Sequence, residues 1–546
     1  MDRSPRRPRH AGRRLATRLG LPLGLVATLL AALPASAAAA DFPAGWEGFH
    51  TYAEVGADVA AVAAAHPAIV RRFSIGKSYE GRDLWAAKIS DNVTVDENEP
   101  EVYFDGGTHA DEHMGVEMTL KILHWLADGY GKDARITRLV DTREVWIVFS
   151  VNPDGAAYDI KYGKFHYWRK NRQPTPGSKY IGTDLNRNYD YRWGTAEGRT
   201  STNPQAITYR GPHAFSAPET QAVRAFLKSR VVGGRQQIRT AITFHETGRL
   251  VMWPYGYTYA DVPSDMTRDD HVALYRIGKA MAATNRYRPE QASDLYLTSG
   301  TTRDYLYGIW RVFSYTFEMS VNDYVDDSLI SSETGRNKEA VLSLIDRSWC
   351  PLAVLGEPTR TARCGPFDDD LEVSRGWTVD PYGTDTAPVS ARWNRGDPAS
   401  TSAAGVAMQL GSAVSGSRDF STGLAAGSSA NSYDLDGVST IRSTPFTLAS
   451  SGHQQLSFRW SFAHDGHATS ADSLKAIVEV EGGAKTVVFT RSGTGTVAKG
   501  GWRAATIPLD AWHGQTIRIA FVASDGGADN LVEASLDDVR VTLPTS

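Results

Sequence analysis

Four short β-type runs each end at a polar cluster, and that arrangement leaves the chain little choice of fold. Glu101–Phe104 runs into Gly106-Gly-Thr-His-Ala-Asp-Glu112, and Glu144–Ser150 runs into Asn152-Pro-Asp-Gly155. Thr240–Phe244 runs into His245-Glu-Thr-Gly248, and Phe313–Phe317 runs into Glu318. Between such runs lie helix-like amphipathic segments, among them Val55–His66, Val116–Asp128, Ala217–Ser229 and His271–Asn285. This alternation, from Phe42 to about Leu344, predicts an α/β sheet with helices on its faces. In a mostly parallel sheet, ligands gather outside the carboxyl ends of the strands. Four strand ends carrying His, Glu, His and Glu therefore predict one shared site.

The chain of 546 residues is too long for one ordinary core, so more than one domain is expected. After Gly356 the character changes: Pro358-Thr-Arg-Thr-Ala reads as linker, and helical periodicity nearly vanishes from Phe367 onward. Alternating runs such as Gln455–Phe462, Ala476–Glu481 and Thr516–Phe521, separated by Ser, Thr and Gly, predict a β-sandwich. The expected organisation is a signal segment over 1–40, a catalytic domain over 41–350, a linker over 351–366 and an all-β domain over 367–546.

Seven arginines followed by the apolar run Leu19–Leu33 and by Ala35-Ser-Ala37 read as a secretory signal peptide. Arg13-Arg14 also raises twin-arginine export, but Ala16 stands where a bulky apolar residue is expected, which favours the general route. The whole chain has 58 Lys+Arg against 62 Asp+Glu; the first forty residues hold seven Arg and one Asp, leaving 51 against 61. An acidic exported product argues against nucleic acid or an anionic membrane as its partner. Its two cysteines, Cys350 and Cys364, are expected to form a local disulfide.

His109-Ala-Asp-Glu-His113 admits two zinc readings. Within a helix, His109 and His113 would share a face with Glu112 as base, the H-x-x-E-H pattern. A strand and Gly106-Gly107 precede the segment, however, which makes it a loop with His109 and Glu112 as a short-spacer pair. A distant third ligand is then required, and His245 is the candidate.

The segment from about Trp46 to Leu344 resembles the zinc metallocarboxypeptidases of the carboxypeptidase A/T type. The motifs that carry the resemblance are Gly76-Lys-Ser-Tyr-Glu-Gly-Arg82, His109-x-x-Glu112, Asn152-Pro-Asp-Gly155, Trp168-Arg-Lys-Asn-Arg172, Gly182-Thr-Asp-Leu-Asn-Arg-Asn188, Thr243-Phe-His245 and Phe317-Glu318. The resemblance implies a mixed eight-stranded sheet flanked by helices. It implies that His109, Glu112 and His245 bind one zinc ion, leaving a coordination position open for water. It assigns Glu318 as the base, Arg169 as the oxyanion-stabilising cation and Asp184 as the carboxylate that orients the first histidine. Asn186 and Arg187 would hold the terminal carboxylate of a peptide, with Tyr296 covering the substrate.

Three positions depart from the family's pattern. Asp111 stands where many relatives carry a substrate-contacting arginine, and Glu246 stands where serine is common. By the resemblance Arg303 lies at the base of the pocket for the C-terminal side chain, where a cation is expected to favour Glu or Asp. Pairing of Arg303 with Asp294 or Asp304, leaving a broad or apolar pocket, is the alternative. The catalytic-type sequence starts at about Trp46, so no inhibitory pro-segment is expected and the protein should be competent on export.

The segment from Phe367 to Ser546 resembles the jelly-roll modules of some secreted bacterial peptidases, notably in Leu531–Arg540. Asp368-Asp-Asp370 and Asp537-Asp538 offer either a calcium site or charges solvated at the sandwich edges. Trp377, Trp393, Trp460, Trp502 and Trp512 are read mostly as core, with a sugar-stacking surface as the alternative. Binding to polymers or a cell surface through this module stays open. The expected protein is a secreted monomer that hydrolyses the C-terminal bond of peptides and proteins. Trimming of cell-wall peptides and an inactive binding protein are the rivals.

Overall fold

The computed structural model describes residues 41–97, 99–196, 198–425, 434–527 and 530–545. The signal-peptide expectation over 1–40 falls outside the described residues. Ten strands belong to the first part of the chain: β1 (Val70–Lys77), β2 (Asp83–Ile89), β3 (Glu101–Gly106), β4 (Glu144–Val148), the small hairpin β5–β6 (Val231–Val232 and Arg235–Gln236), β7 (Ile238–Glu246), β8 (Leu250–Trp253), β9 (Arg288–Gln291) and β10 (Phe313–Met319). Eight of them form one sheet in the order β1-β2-β4-β3-β7-β10-β8-β9. The sheet is mixed: β4, β3, β7 and β10 run parallel, while β1, β2 and β8 bring antiparallel pairings. This is the α/β architecture expected from the alternation.

The central strands read as they are buried. Every residue of β3 is buried, the pattern of a parallel strand covered on both faces. Helices cover those faces. Helix Tyr52–Ala65 opens at Thr51 with a capping box to Glu54. Helix Arg268–Asn285 starts three residues before its apolar periodicity, because the Thr267 hydroxyl accepts from the Asp270 N–H and fixes the start. Helix His113–Gly129 begins directly after Glu112. To let it pack there the loop needs glycine: Gly107 has φ +62, and a Cβ on Gly106 would collide with the Gly115 carbonyl of the helix. β7 and β10 also run further than expected, carrying His245 and Glu318 within the strands as register partners.

Residues 351–366, read as linker, are folded into the turns Pro351–Leu355 and Thr359–Arg363, closed by the Cys350–Cys364 disulfide. Beyond them stand two six-stranded sheets with antiparallel pairing. One centres on Gln455–His464 and Val532–Val541, the other on Ser473–Val480 and Thr516–Ser524. Phe420, Phe458 and Leu536 of the first share one apolar core with Ile441, Leu474 and Phe521 of the second. Trp393 and Trp460 are buried in that core, and Trp377 and Trp512 pack against it, which matches the reading of these tryptophans mostly as core. The calcium expectation at Asp368–Asp370 and Asp537-Asp538 gains no support. Asp368 is held by Arg363 and Arg540, Asp369 by Trp377, and Asp537 by the backbone N–H groups of Val414 and Ser415. These carboxylates form no joint ligand cluster among the described residues, because arginines and backbone donors reach them first. Nor are they edge charges in water, since Asp369 and Asp537 are fully buried. No helix among the described residues is long and apolar enough to cross a membrane.

Candidate active site

The carboxyl ends of β3, β7 and β10 bring three distant segments to one place. The loop after β3 supplies His109 and Glu112, and β7 supplies His245. Glu112 Oε1 lies 2.6 Å from His109 Nδ1, and its Oε2 lies 2.7 Å from His245 Nδ1. The two Nδ1 atoms are 3.1 Å apart, and all three side chains are buried. His113 is not part of this cluster. It points away to Asp159, 3.0 Å from its Nε2, so the H-x-x-E-H arrangement is absent and the loop reading holds.

The donor set fits a divalent cation. His109 Nε2 faces Asp184 Oδ1 at 3.1 Å, which keeps a proton on that nitrogen and leaves a lone pair on Nδ1. That lone pair then confronts a carboxylate oxygen at 2.6 Å and a second imidazole at 3.1 Å. A cation among them resolves the conflict, and two imidazoles with one carboxylate form a catalytic zinc donor set. Without a cation the remedy is protonation: burial and Arg169 oppose charge on His109, but Glu112 and Asp184 outweigh them and raise its pKa. Burial likewise works against Glu112, yet the His109 and His245 imidazoles hold its carboxyl well below the usual range. Glu112 also stands at the N-terminus of helix His113–Gly129, where the macrodipole favours an anion.

A second layer of charge fixes this cluster. Arg169 Nη1 donates to Glu112 Oε1 at 3.1 Å, and its Nε lies 3.4 Å from Asp184 Oδ2. Asp184 is buried, but Arg169, then Arg187 and His109, keep its carboxyl far below the ordinary value. Its Oδ1 accepts from the Asn186 N–H at 3.0 Å, so one carboxylate orients a ligand and shapes the turn that carries Asn186 and Arg187. Asn186 Nδ2 lies 3.4 Å from His245 Nε2, and its Oδ1 accepts from the Thr302 N–H. Arg187 is buried and donates to the carbonyls of Arg199 and Asn186. Among the described residues it forms no ion pair with a carboxylate, which leaves its charge for another partner. Tyr296 is half-buried beneath the guanidinium of Arg199, and its hydroxyl is near enough to act on Arg169.

Glu318 stands beside His245 across the β7–β10 pairing. Its Oε2 has no hydrogen-bond partner among the described residues, and burial pushes its carboxyl up to about 7 against the pull of His245. Asp111 is likewise raised, to about 6, by burial and by Glu112. Glu246 is buried with Ser320 as its donor, and burial followed by Glu112 raises it well above the ordinary value.

Arg303 lies buried on helix Thr302–Trp310. Its Nε donates to Asp304 Oδ1 at 3.1 Å and its Nη1 to Thr316 Oγ1 at 3.1 Å, while Nη2 has no partner among the described residues. A Cβ on Gly256 would come within 2.8 Å of that free nitrogen, so glycine there keeps the space beside it open. Asp294 does not take part. Thr316 and Gly256 were not singled out from sequence, although Thr316 lies two residues before Glu318 and so shares its face of the strand.

Residues 56–340 match the family described as zinc carboxypeptidase. A zinc carboxypeptidase of Saccharothrix mutabilis subsp. capreolus is 44% identical over 329 residues, 58% of this chain and 73% of that protein. Mast cell carboxypeptidase A of Rattus norvegicus is 32% identical over 256 residues, 46% of this chain. The match spans 59% of the rat protein's own length. Among solved structures, the crystal structure of thrombin activatable fibrinolysis inhibitor is similar with a TM-score of 0.50 at 25% identity, covering 55% of this chain and 74% of that one.

Proposed function

The chain belongs to the zinc carboxypeptidase family, whose members are hydrolases, and on that premise we propose that it is an exported metallocarboxypeptidase releasing single residues from the C-termini of peptides and proteins. The observation that carries this reading is the convergence of His109, Glu112 and His245 beside a buried Arg187, which forms no ion pair among the described residues, and a Glu318 raised toward neutrality. His109, Glu112 and His245 would hold a zinc ion, which when bound supplies a Lewis acid and a water acidified to roughly neutral pKa.

The chain's own residues do the rest. Arg187 grips the terminal carboxylate, assisted by Asn186, and so places the last peptide bond over the site. Arg169 Nη1 turns toward the scissile carbonyl and stabilises the negative charge that develops on its oxygen. Glu318 accepts a proton from the attacking water and delivers it to the departing amine; a pKa near 7 suits both transfers. Asp184 holds His109 in the tautomer that presents Nδ1, and Tyr296 covers the bound peptide end.

We further infer a preference for acidic C-terminal residues. The free Nη2 of Arg303 is a buried donor with space beside it, and a Glu or Asp side chain would complete its fork. Asp304 takes only one edge of the guanidinium. Residues 41–350 are read as the catalytic domain and 367–546 as an accessory module of jelly-roll kind. The arginine-rich start and apolar run of residues 1–40, with the disulfide, support export.

Mass-spectrometric profiling of a peptide mixture, with and without a chelator, tests the reading. Products shortened one residue at a time from the C-terminus, and abolished by the chelator, are expected. Internal cleavage, or turnover indifferent to chelation, overturns it. With matched peptides ending in Glu, Phe and Lys, the Glu peptide should be hydrolysed fastest; a clear lead for Phe removes the acidic preference alone.

A further inference from the structure

A cavity of about 390 Å³ lies between the α/β sheet and the sandwich, inside the range of roughly 300–1,000 Å³ typical of small-molecule sites. Its walls come from the β5–β6 hairpin, the amino end of β7, the disulfide-closed turns and the first strands of the sandwich. Arg239 and His245 sit at opposite ends of β7, about 20 Å apart along the strand. The cavity is therefore separate from the candidate active site.

Its charge is unbalanced. Five guanidinium groups line it, against the carboxylates of Asp270, Asp368 and Asp370. Asp368 is already engaged by Arg363 at 2.7 Å and by Arg540 at 3.0 Å, and Asp270 accepts from the Tyr307 hydroxyl. Arg375 Nε lies 3.4 Å from Asp369. Among the described residues Arg235 donates only to the Pro366 carbonyl, at 3.3 Å, and its Nε has no partner. No hydrogen bond or ion pair reaches the Arg239 side chain among the described residues.

These cations are also forced together. A Cβ on Gly234 would collide with the backbone of Gly376, and one on Gly376 with the Gly233 carbonyl. This contact between the β5–β6 hairpin and the sandwich is possible only for glycine, and it sets Arg235 against Arg375. Burial, then Arg375, draws Arg235 down to about 10; burial, then Arg235 and Arg375, draws Arg239 well below its ordinary value. Three like charges are thus held in a half-enclosed space, and among the described residues only Arg375 has an ion-pair partner, Asp369 at 3.4 Å.

We propose that this cavity binds a tetrahedral oxyanion, phosphate or sulfate, clamped by Arg235, Arg239 and Arg375 and joining the two parts of the molecule. Guanidinium forks match such anions bidentately. A ligand that binds only the folded protein raises its unfolding temperature by mass action. The volume leaves room beyond one ion, and Trp310 and Trp349 on the wall suit an organic group carried by an ester.

The test is thermal unfolding and calorimetric titration of the zinc-loaded full-length protein with sodium sulfate, sodium phosphate or glucose 6-phosphate, against chloride at equal ionic strength. A saturable rise in unfolding temperature at low millimolar sulfate or phosphate is expected, below the range where sulfate stabilises proteins generally. Arg239→Gln should weaken binding about tenfold or more, while Arg491→Gln, an exposed arginine on strand Lys485–Ser492, should not. The sign of the stability change separates a ligand site from a structural arginine. In chloride, Arg239→Gln should unfold at the parent's temperature or above, since repulsion is relieved, and should fall below the parent once the anion is present. If Arg239→Gln does not fold, Arg239→Lys keeps the charge, loses the fork, and should bind more weakly. Tighter binding of the sugar phosphate assigns an ester as the occupant, and equal binding assigns the free ion. No response beyond chloride, or parental affinity in the Arg239 variants, overturns the proposal.

Discussion

Buried carboxylates meet opposite fates in the two parts of this molecule. At the candidate active site Glu112 and Asp184 are almost fully buried, yet His109, His245, Arg169 and Arg187 hold both well below their ordinary pKa. At three carboxyls of the sandwich burial wins. Asp419 is pushed up to about 7, Asp537 to about 8 with help from Asp538, and Glu533, with only the Thr422 hydroxyl as donor, well above its usual value. Depth is similar in both places, and the number of cations within reach differs. A buried charge persists only where counter-charge and hydrogen bonds replace the water it has lost. The first region is arranged to keep anions as anions, which a metal site demands. The second holds carboxyls that are easily kept neutral.

Glu318 departs from that division, as Asp111 and Glu246 do, and its replacement should have the largest effect. It lies within the charged site but is raised to about 7 by burial, like the sandwich carboxyls. A group that can both take and return a proton needs that position. Glu318→Gln is expected to lower kcat by about 10²–10⁴-fold with little change in KM, circular dichroism or bound zinc. If kcat is unchanged, Glu318 belongs with the structural carboxyls and the contrast between the regions loses its functional meaning.

Arg303 is the converse case, a cation whose counter-charge is incomplete. Arg303→Gln should reduce kcat/KM for a Glu-terminated peptide by about 10–100-fold, the worth of one charge-assisted hydrogen bond. A Phe-terminated peptide should be unaffected or improved. Equal losses on both substrates would mark Arg303 as a support for Asp304 and the Gly256 turn.

Much of the first region was legible because its signals are local. His109 and Glu112 share one loop, the glycines that turn it adjoin them, and β7 and β10 announce themselves as buried β-branched runs. What was not legible depends on partners far apart in the chain. Asp368 reads as either a metal ligand or a solvated edge charge until Arg363 and Arg540 reach it, and residues 351–366 read as linker until the disulfide and turns fold them. The approach of Gly234 to Gly376, which sets Arg235 against Arg375, spans more than a hundred residues and has no local signature. The partners of Arg303 became visible only with the strand register that places Thr316 beside it.

The smallest effect concerns the sandwich itself. Asp419 is fully buried; its Oδ1 accepts from the Ser421 hydroxyl at 3.0 Å, and its Oδ2 has no partner among the described residues. Its folded pKa, about 7, lies above the unfolded value near 3.8. Between those values the folded state holds a proton that the unfolded state has released, so stability falls as pH rises across this window. The penalty is absent below about pH 4 and complete above about pH 7. Asn at this position keeps the acceptor for Ser421 and puts a neutral amide where Oδ2 stood. Asp419→Asn should therefore match the parent near pH 4 and exceed it at pH 8 by ~1–3 kcal/mol, read from denaturant unfolding at both pH values. Equal differences at the two pH values would mean that Asp419 is already ionised and compensated in the fold, and that the sandwich shelters its anions much as the active site does.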